Sequence, residues 1–137
     1  MLKLKIPGSL FEQMVEQAKA EAPIEACGIL AGKNKTVEKL YKMTNTDQSS
    51  DHFMMTPEEQ FKVVKDTRSG GLEMLAIYHS HPETPARPSA EDIRLALTPD
   101  VIYVIVSLQN TEPVIKGFLI EDKSVTEVPV KIKVEQE

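Results

Sequence analysis

At 137 residues, 41% hydrophobic and 27% charged, the chain has the size and composition of one folded domain over residues 1–137, with no sign of disorder. Sixteen basic against 21 acidic side chains give a net charge of −5, which excludes a basic nucleic-acid footprint. No apolar run approaches the roughly 18 residues of a membrane span, MLKLKIPGSLFEQ lacks the features of a secretion signal, and a single cysteine, Cys27, suits a reducing compartment, so the expected address is the cytoplasm.

In chain order, LKLKI alternates apolar and charged residues, the period of a half-buried strand. From Ser9 the period changes: Leu10, Phe11, Met14, Val15 and Ala18 form one helical stripe that Ser9 is placed to cap and Pro23 to end. CGILAGK and TVEKLYKM predict two strands joined by a turn at KNK, and TNTDQSSDH is a polar loop. Thr56-Pro57-Glu58-Glu59 has the form of a capping box, opening a second helix that runs past Phe61 and Val64 to about Arg68 and stops at Gly70-Gly71. LEMLAIY is apolar enough for a strand buried on both faces. SAEDIRLAL predicts a short third helix with Ile93, Ala96 and Leu97 inward, and VIYVIVSL, PVIKGFLIE and VTEVPVKIKV complete the strands, the last made edge-like by Pro129. The sum is an α/β or α+β fold with a mixed sheet of about six to eight strands and three helices.

The stretch IYHSHPETPARPSAEDIRLA, Ile77 to Ala96, holds two of the three histidines. On a strand His79 and His81 project to the same face, about 6.5–7 Å apart along the backbone, and can aim two imidazoles at one point. With one cysteine in the chain, a metal site must draw on histidine and carboxylate, and an open catalytic zinc takes three protein ligands. The nearby acids are Glu83, Glu91 and Asp92; Asp92, one turn into a rigid helix, is favoured over Glu83 in its proline-containing loop. Pro82, Pro85 and Pro88 stiffen the connection. Each feature also has an ordinary account: paired histidines at a strand end are often surface or core residues, and Ser89-Ala-Glu-Asp92 reads as an N-cap followed by acids that suit the helix dipole. Cys27 fits a small buried hydrophobe better than a nucleophile, and His52 an exposed loop residue without a site.

The run His79-Ser80-His81-Pro82, six further residues, Ser89, two residues and Asp92 resembles the signature of the JAMM, or MPN+, metalloprotease family, and EACGILAG from Glu25 resembles the segment that bears that family's glutamate. HFMMTPEEQ is similar to the opening of the second helix in small prokaryotic members. The resemblance implies a cytidine-deaminase-like MPN fold with a curved sheet. It makes His79, His81 and Asp92 ligands of one Zn2+ with a bound water, Glu25 the general base and Ser89 a hydrogen-bond donor to the oxyanion. It implies hydrolysis of a peptide or isopeptide bond after the Gly-Gly-type tail of a ubiquitin-like or sulfur-carrier protein. With no long insertion to grip a second ubiquitin, prokaryotic-style processing is expected rather than ubiquitin-chain cleavage. The competing expectations are a non-catalytic MPN scaffold, which would lack these residues, and a structural metal site, which would be closed by four protein ligands.

Overall fold

A computed structural model describes residues 2–134; Met1 and residues 135–137 of the expected 1–137 domain lie outside the described residues. The elements are β1 (Leu4–Pro7), α1 (Gly8–Glu21), β2 (Cys27–Lys33), β3 (Thr36–Met43), α2 (Pro57–Ser69), β4 (Glu73–His81), α3 (Ala90–Leu95), β5 (Ile102–Ser107), β6 (Val114–Glu121), β7 (Ser124–Val128) and β8 (Val130–Lys133). They form the mixed α+β architecture expected, with one sheet in the order β7-β6-β5-β4-β2-β3-β1-β8. Pairing is parallel for β1 with β3, β1 with β8 and β4 with β5, and antiparallel elsewhere.

The two ends of this order are joined in the chain by one residue, Pro129, so the sheet curls until its edges nearly meet. A Cβ on Gly117 of β6 would lie 2.9 Å from the Val130 side chain of β8. VTEVPVKIKV is therefore two edge strands rather than one: proline, which cannot donate to a ladder, forms the corner, and its carbonyl accepts from the Leu4 N–H at 3.0 Å.

Strand alternation sorts the core into two clusters. On one face Leu30, Ala76, Tyr78, Val104 and Val106 pack with Leu4, Ile6 and the α1 residues Met14 and Ala18, and α1 touches β1, β3, β5 and β8 as the sheet wraps it. On the other face Cys27, Ile29, Ile77, Tyr103 and Ile105 pack with Met55 and Val63 under α2. Ile77, His79 and His81 share the second face, because residues two apart on a strand point the same way. Gly28 admits the Tyr78 ring, whose atoms would lie 2.2–2.3 Å from an added Cβ, and the Tyr78 hydroxyl donates to Gln17 of α1 at 2.5 Å.

Several local expectations are corrected. Helix α1 starts at Gly8 behind Pro7, which places Ser9 inside the helix instead of at its cap. Thr56 caps α2 by accepting from Glu59 N–H at 3.1 Å, but the Glu59 carboxylate accepts from Thr44 N–H at 3.1 Å instead of closing a capping box. The inward face of α2 is Val63 and Thr67, while Phe61 is 64% exposed. That helix ends on Gly70-Gly71, with Gly71 at φ +69°, a conformation that costs glycine little. Helix α3 has only six residues; its inward position is taken by Asp92, and Leu97, beyond its end, is 81% exposed rather than inward-facing. The turn at KNK places Asn34 and Lys35 at φ 53° and 60°, as a two-residue hairpin with the sheet's twist requires.

Candidate metal centre

The buried end of β4 holds both histidines, each no more than 3% exposed. The loop after it returns α3 so that Asp92 reaches them: Asp92 Oδ2 lies 3.2 Å from His79 Nε2 and 3.0 Å from His81 Nε2, and the two nitrogens are 3.2 Å apart. A tetrahedral ion bound at about 2.0–2.1 Å has donor–donor edges of about 3.3–3.4 Å, so this triangle needs to open only slightly to hold one. Of the other acids near in sequence, Glu83 is exposed and Glu91 pairs with Arg94 at 2.6 Å.

Neighbouring groups fix the triangle. His81 Nδ1 donates to the Pro85 carbonyl at 2.8 Å, which turns Nε2 toward the cluster. Pro85 sits in a loop also anchored by Ser107, whose hydroxyl donates to the Thr84 carbonyl at 2.6 Å. Asp92 occupies the third position of α3 and completes a capping box: its Oδ2 accepts from Ser89 N–H, and its own N–H donates to Ser89 Oγ, both at 3.0 Å. Capping and convergence thus coexist in one carboxylate. Burial alone would raise the Asp92 pKa, but hydrogen bonds from both imidazoles outweigh it and hold the group well below the usual carboxylate range. Burial depresses His79; on His81 the bonds to Asp92 and Pro85 overcome burial and the net shift is upward.

Glu25 precedes β2, which lies against β4 with Cys27 opposite His79. The Ala26 N–H donates to Ser80 Oγ at 2.8 Å and the Ala26 carbonyl accepts from Ser80 N–H at 2.9 Å, so the residue between the histidines faces away from them and ties Glu25 alongside. A carboxylate oxygen of Glu25 and one ring nitrogen of each histidine lie within 4.8 Å of one another. Glu25 is 2% exposed, and burial, reinforced by the Asp92 charge, pushes its pKa up to about 8. Among the described residues, Glu25 Oε1 and His79 Nδ1 are the buried side-chain polar atoms without a hydrogen-bond partner, which marks this spot as one where the fold leaves polar capacity unused. Two carboxyls thus flank the imidazoles: Asp92, ionised and closer, is the readier ligand, while Glu25 is the one able to hold a proton near neutrality.

Ser89 is exposed at the rim, its Oγ accepting from Asp92 and its own hydrogen free of that bond. Phe53 stacks on His79 with centroids 4.8 Å apart. A cavity of about 160 Å³ opens beside His79 and Asp92, walled by Met55, Leu95, Tyr103 and Ile105. Burial pushes the Cys27 thiol up to about 12, which removes it as a nucleophile. The sequence does not single out Phe53, Ser80 or Asn45, whose Nδ2 donates to the Glu25 carbonyl at 3.0 Å. Ser80 carried a signal in its position, since the residue between two same-face histidines must point to the opposite face. His52, expected to be a simple exposed residue, is partly buried and bonded through both ring nitrogens.

The curled mixed sheet with histidines at the end of a central strand is the architecture of a JAMM/MPN domain. The model of prokaryotic homologs of the JAB domain matches residues 7–118, and the chain belongs to that family. It is 38% identical over 132 residues to the CysO-cysteine peptidase of Mycobacterium tuberculosis, covering 94% of this chain and 90% of that protein. It is 30% identical over 115 residues to the desampylase of Pyrococcus furiosus, covering 83% and 80%. A solution structure of a protein from Desulfitobacterium hafniense superposes with a TM-score of 0.88 at 45% identity, covering 98% of this chain and 95% of that one.

Proposed function

We propose that this protein is a zinc metallopeptidase that hydrolyses the peptide or isopeptide bond after the Gly-Gly-type C-terminal tail of a ubiquitin-like or sulfur-carrier protein. The carrying observation is the convergence of His79 Nε2, His81 Nε2 and Asp92 Oδ2 within 3.0–3.2 Å of one another, with Glu25 adjacent. These three side chains would hold the zinc; when bound, it supplies a Lewis acid that polarises a carbonyl and acidifies water. The names of the relatives support the substrate class: CysO-cysteine peptidase, desampylase and a probable TtuB-protein conjugate cleaving protease of Thermus thermophilus.

Glu25 takes the proton of the attacking water and returns it to the leaving nitrogen. Burial and the Asp92 charge raise this carboxyl in the metal-free site; the positive charge of a bound cation would favour its ionised form, the one that accepts a proton, while burial lets it hand that proton on. Ser89 donates its hydroxyl hydrogen to the scissile carbonyl oxygen as charge develops there, while its Oγ keeps Asp92 in place. Pro85 keeps His81 in the tautomer whose Nε2 faces the cluster. In this reading residues 1–137 act as one catalytic domain in the cytoplasm, where the buried thiol of Cys27 stays reduced. Among the described residues no helix is long and apolar enough to cross a membrane.

Metal analysis of the purified protein and cleavage of a ubiquitin-fold carrier conjugate by wild type and Glu25→Gln test the proposal. Stoichiometric zinc, cleavage by wild type and its loss in the variant are expected. Absence of zinc together with equal behaviour of the two proteins would leave the scaffold reading standing.

A further inference from the structure

The loop between β3 and α2 is polar in composition, yet it grips the Glu25 backbone at both ends. Glu25 N–H donates to the Ser49 carbonyl at 2.8 Å, and the Glu25 carbonyl accepts from Asn45 Nδ2 at 3.0 Å. Asn45, 4% exposed, also donates to the His52 carbonyl at 3.0 Å and accepts at Oδ1 from Asp47 N–H and Met54 N–H, both at 3.2 Å. The position of Glu25 therefore depends on the shape of residues 45–54.

That shape is closed by His52. Its Nε2 meets Asp47 Oδ2 at 3.0 Å, and its Nδ1 meets Asp51 Oδ1 at 2.9 Å and Ser49 Oγ at 3.1 Å. Ser49 Oγ in turn donates to Asp51 Oδ1 at 2.8 Å. A ring with a carboxylate at each nitrogen is best satisfied as the imidazolium, and the bond to Asp51 together with Asp47 raises the His52 pKa despite the opposing cost of burial. The next residue, Phe53, is the one stacked on His79. One side chain thus ties together the carbonyl that holds Glu25 and the ring that covers a histidine of the candidate centre.

We infer that His52, clamped between Asp47 and Asp51, is a positioning residue that fixes residues 45–54 so that Glu25 and Phe53 are held in register with His79 and His81. The inference rests on the reading of Glu25 as the proton-transferring group. Held geometry of this kind is worth much in rate, because a displacement of about 1 Å of a catalytic group can cost on the order of 100-fold.

The test measures kcat, KM and bound zinc for wild type, His52→Ala, His52→Gln, the pair Asp47→Asn/Asp51→Asn, and Glu25→Gln, on one ubiquitin-fold carrier conjugate. His52 is partly exposed, so its variants should fold; thermal melts verify this, and the glutamine variant serves if the alanine one does not. The expected result is a fall in kcat of roughly 10- to 100-fold in the His52 and double-Asp variants, with KM within about twofold and zinc at the wild-type level. Adding the Asp changes to His52→Ala should cause no further loss, because clamp and ring form one unit. Wild-type kcat in a folded His52 variant, beside an inactive Glu25→Gln, overturns the positioning role alone. An active Glu25→Gln overturns it together with the reading of Glu25. Loss of zinc in the His52 variants also overturns it, because the defect then lies in the metal ligands.

Discussion

Asp92 and Glu25 are two buried carboxyls on either side of the same imidazoles, and the fold treats them oppositely. Asp92 accepts from a helix N-terminus and meets both rings, and it stays ionised far below the ordinary range. Glu25 has its backbone fastened on both sides, but one carboxylate oxygen has no partner and its pKa rises to about 8. The structure satisfies the group suited to hold a cation and starves the one suited to move a proton. Unsatisfied polarity is destabilising, so its persistence beside a carboxylate whose Oδ2 meets three donors marks the reactive side of the site.

The contrast breaks hardest on the Asp92 side. Replacing His81 by Ala removes one of three converging donors. Neighbours of metal ligands already cost 10- to 100-fold in affinity, so loss of a ligand should weaken zinc binding by at least about 100-fold and reduce peptide-bond cleavage to background. Equilibrium dialysis against a zinc buffer measures this; unchanged affinity would remove His81 from the site. On the Glu25 side the signature differs: Glu25→Gln should lower kcat by roughly 10²–10⁴-fold while zinc stays stoichiometric. If Glu25→Gln lost metal as His81→Ala does, Glu25 would belong among the ligands instead of beside them.

Ser89 straddles the two sides, since it caps α3 and lies at the rim. Ser89→Ala should cost about 1 kcal/mol of stability from the lost cap. It should also lower kcat by about 10²–10³-fold through the lost donor to the carbonyl oxygen. Chemical denaturation and steady-state kinetics separate these effects, and Ser89→Gly should keep more of the stability while losing as much rate. Equal rates for Ser89→Gly and wild type would confine Ser89 to capping.

The two carboxyls also differ in how they could be read from sequence. His79 and His81 share a strand face by alternation, and Ser89 and Asp92 share the first turn of a helix, so the direction of each pair is local, while bringing the two pairs together depends on the loop that Ser107 anchors at Thr84. Glu25 meets them through contacts between residues 54 apart in the chain, such as Ala26 with Ser80, and only resemblance singled it out. Loop 45–54 was illegible for a related reason: Ser, Asp and Asn compose both a solvated loop and a hydrogen-bonded clamp, and only the long-range carbonyl of Ser49 distinguishes them. In the fold, β2 and β3 have the bounds expected because a short apolar run, a β-prone run after it and the two-residue turn between them are local signals. Pro129 was misplaced because the curl that brings β8 against β1 is a property of the whole sheet.

The smallest expected effect bears most directly on the comparison, because it measures how poorly the fold accommodates an ionised Glu25. In the unfolded chain this carboxyl ionises near 4.5, whereas in the folded protein stripped of metal by a chelator it keeps its proton to about pH 8. Between those values the folded state binds more protons than the unfolded, so the contribution of Glu25 to stability falls as pH rises through that window. Glu25→Gln carries no ionisable group there. The stripped variant should match stripped wild type at pH 4.5 and be more stable by on the order of 2 kcal/mol at pH 8, below the full linkage value because an ionising carboxylate draws water into the site. The corresponding change at Asp92 should act with the opposite sign: Asp92→Asn removes a carboxylate whose pKa is depressed by its partners, so it should destabilise stripped protein at neutral pH and lose that penalty only in strong acid. Urea titrations of the three stripped proteins across this range give the differences. Parallel curves for wild type and Glu25→Gln would mean that the fold accommodates both carboxylates alike.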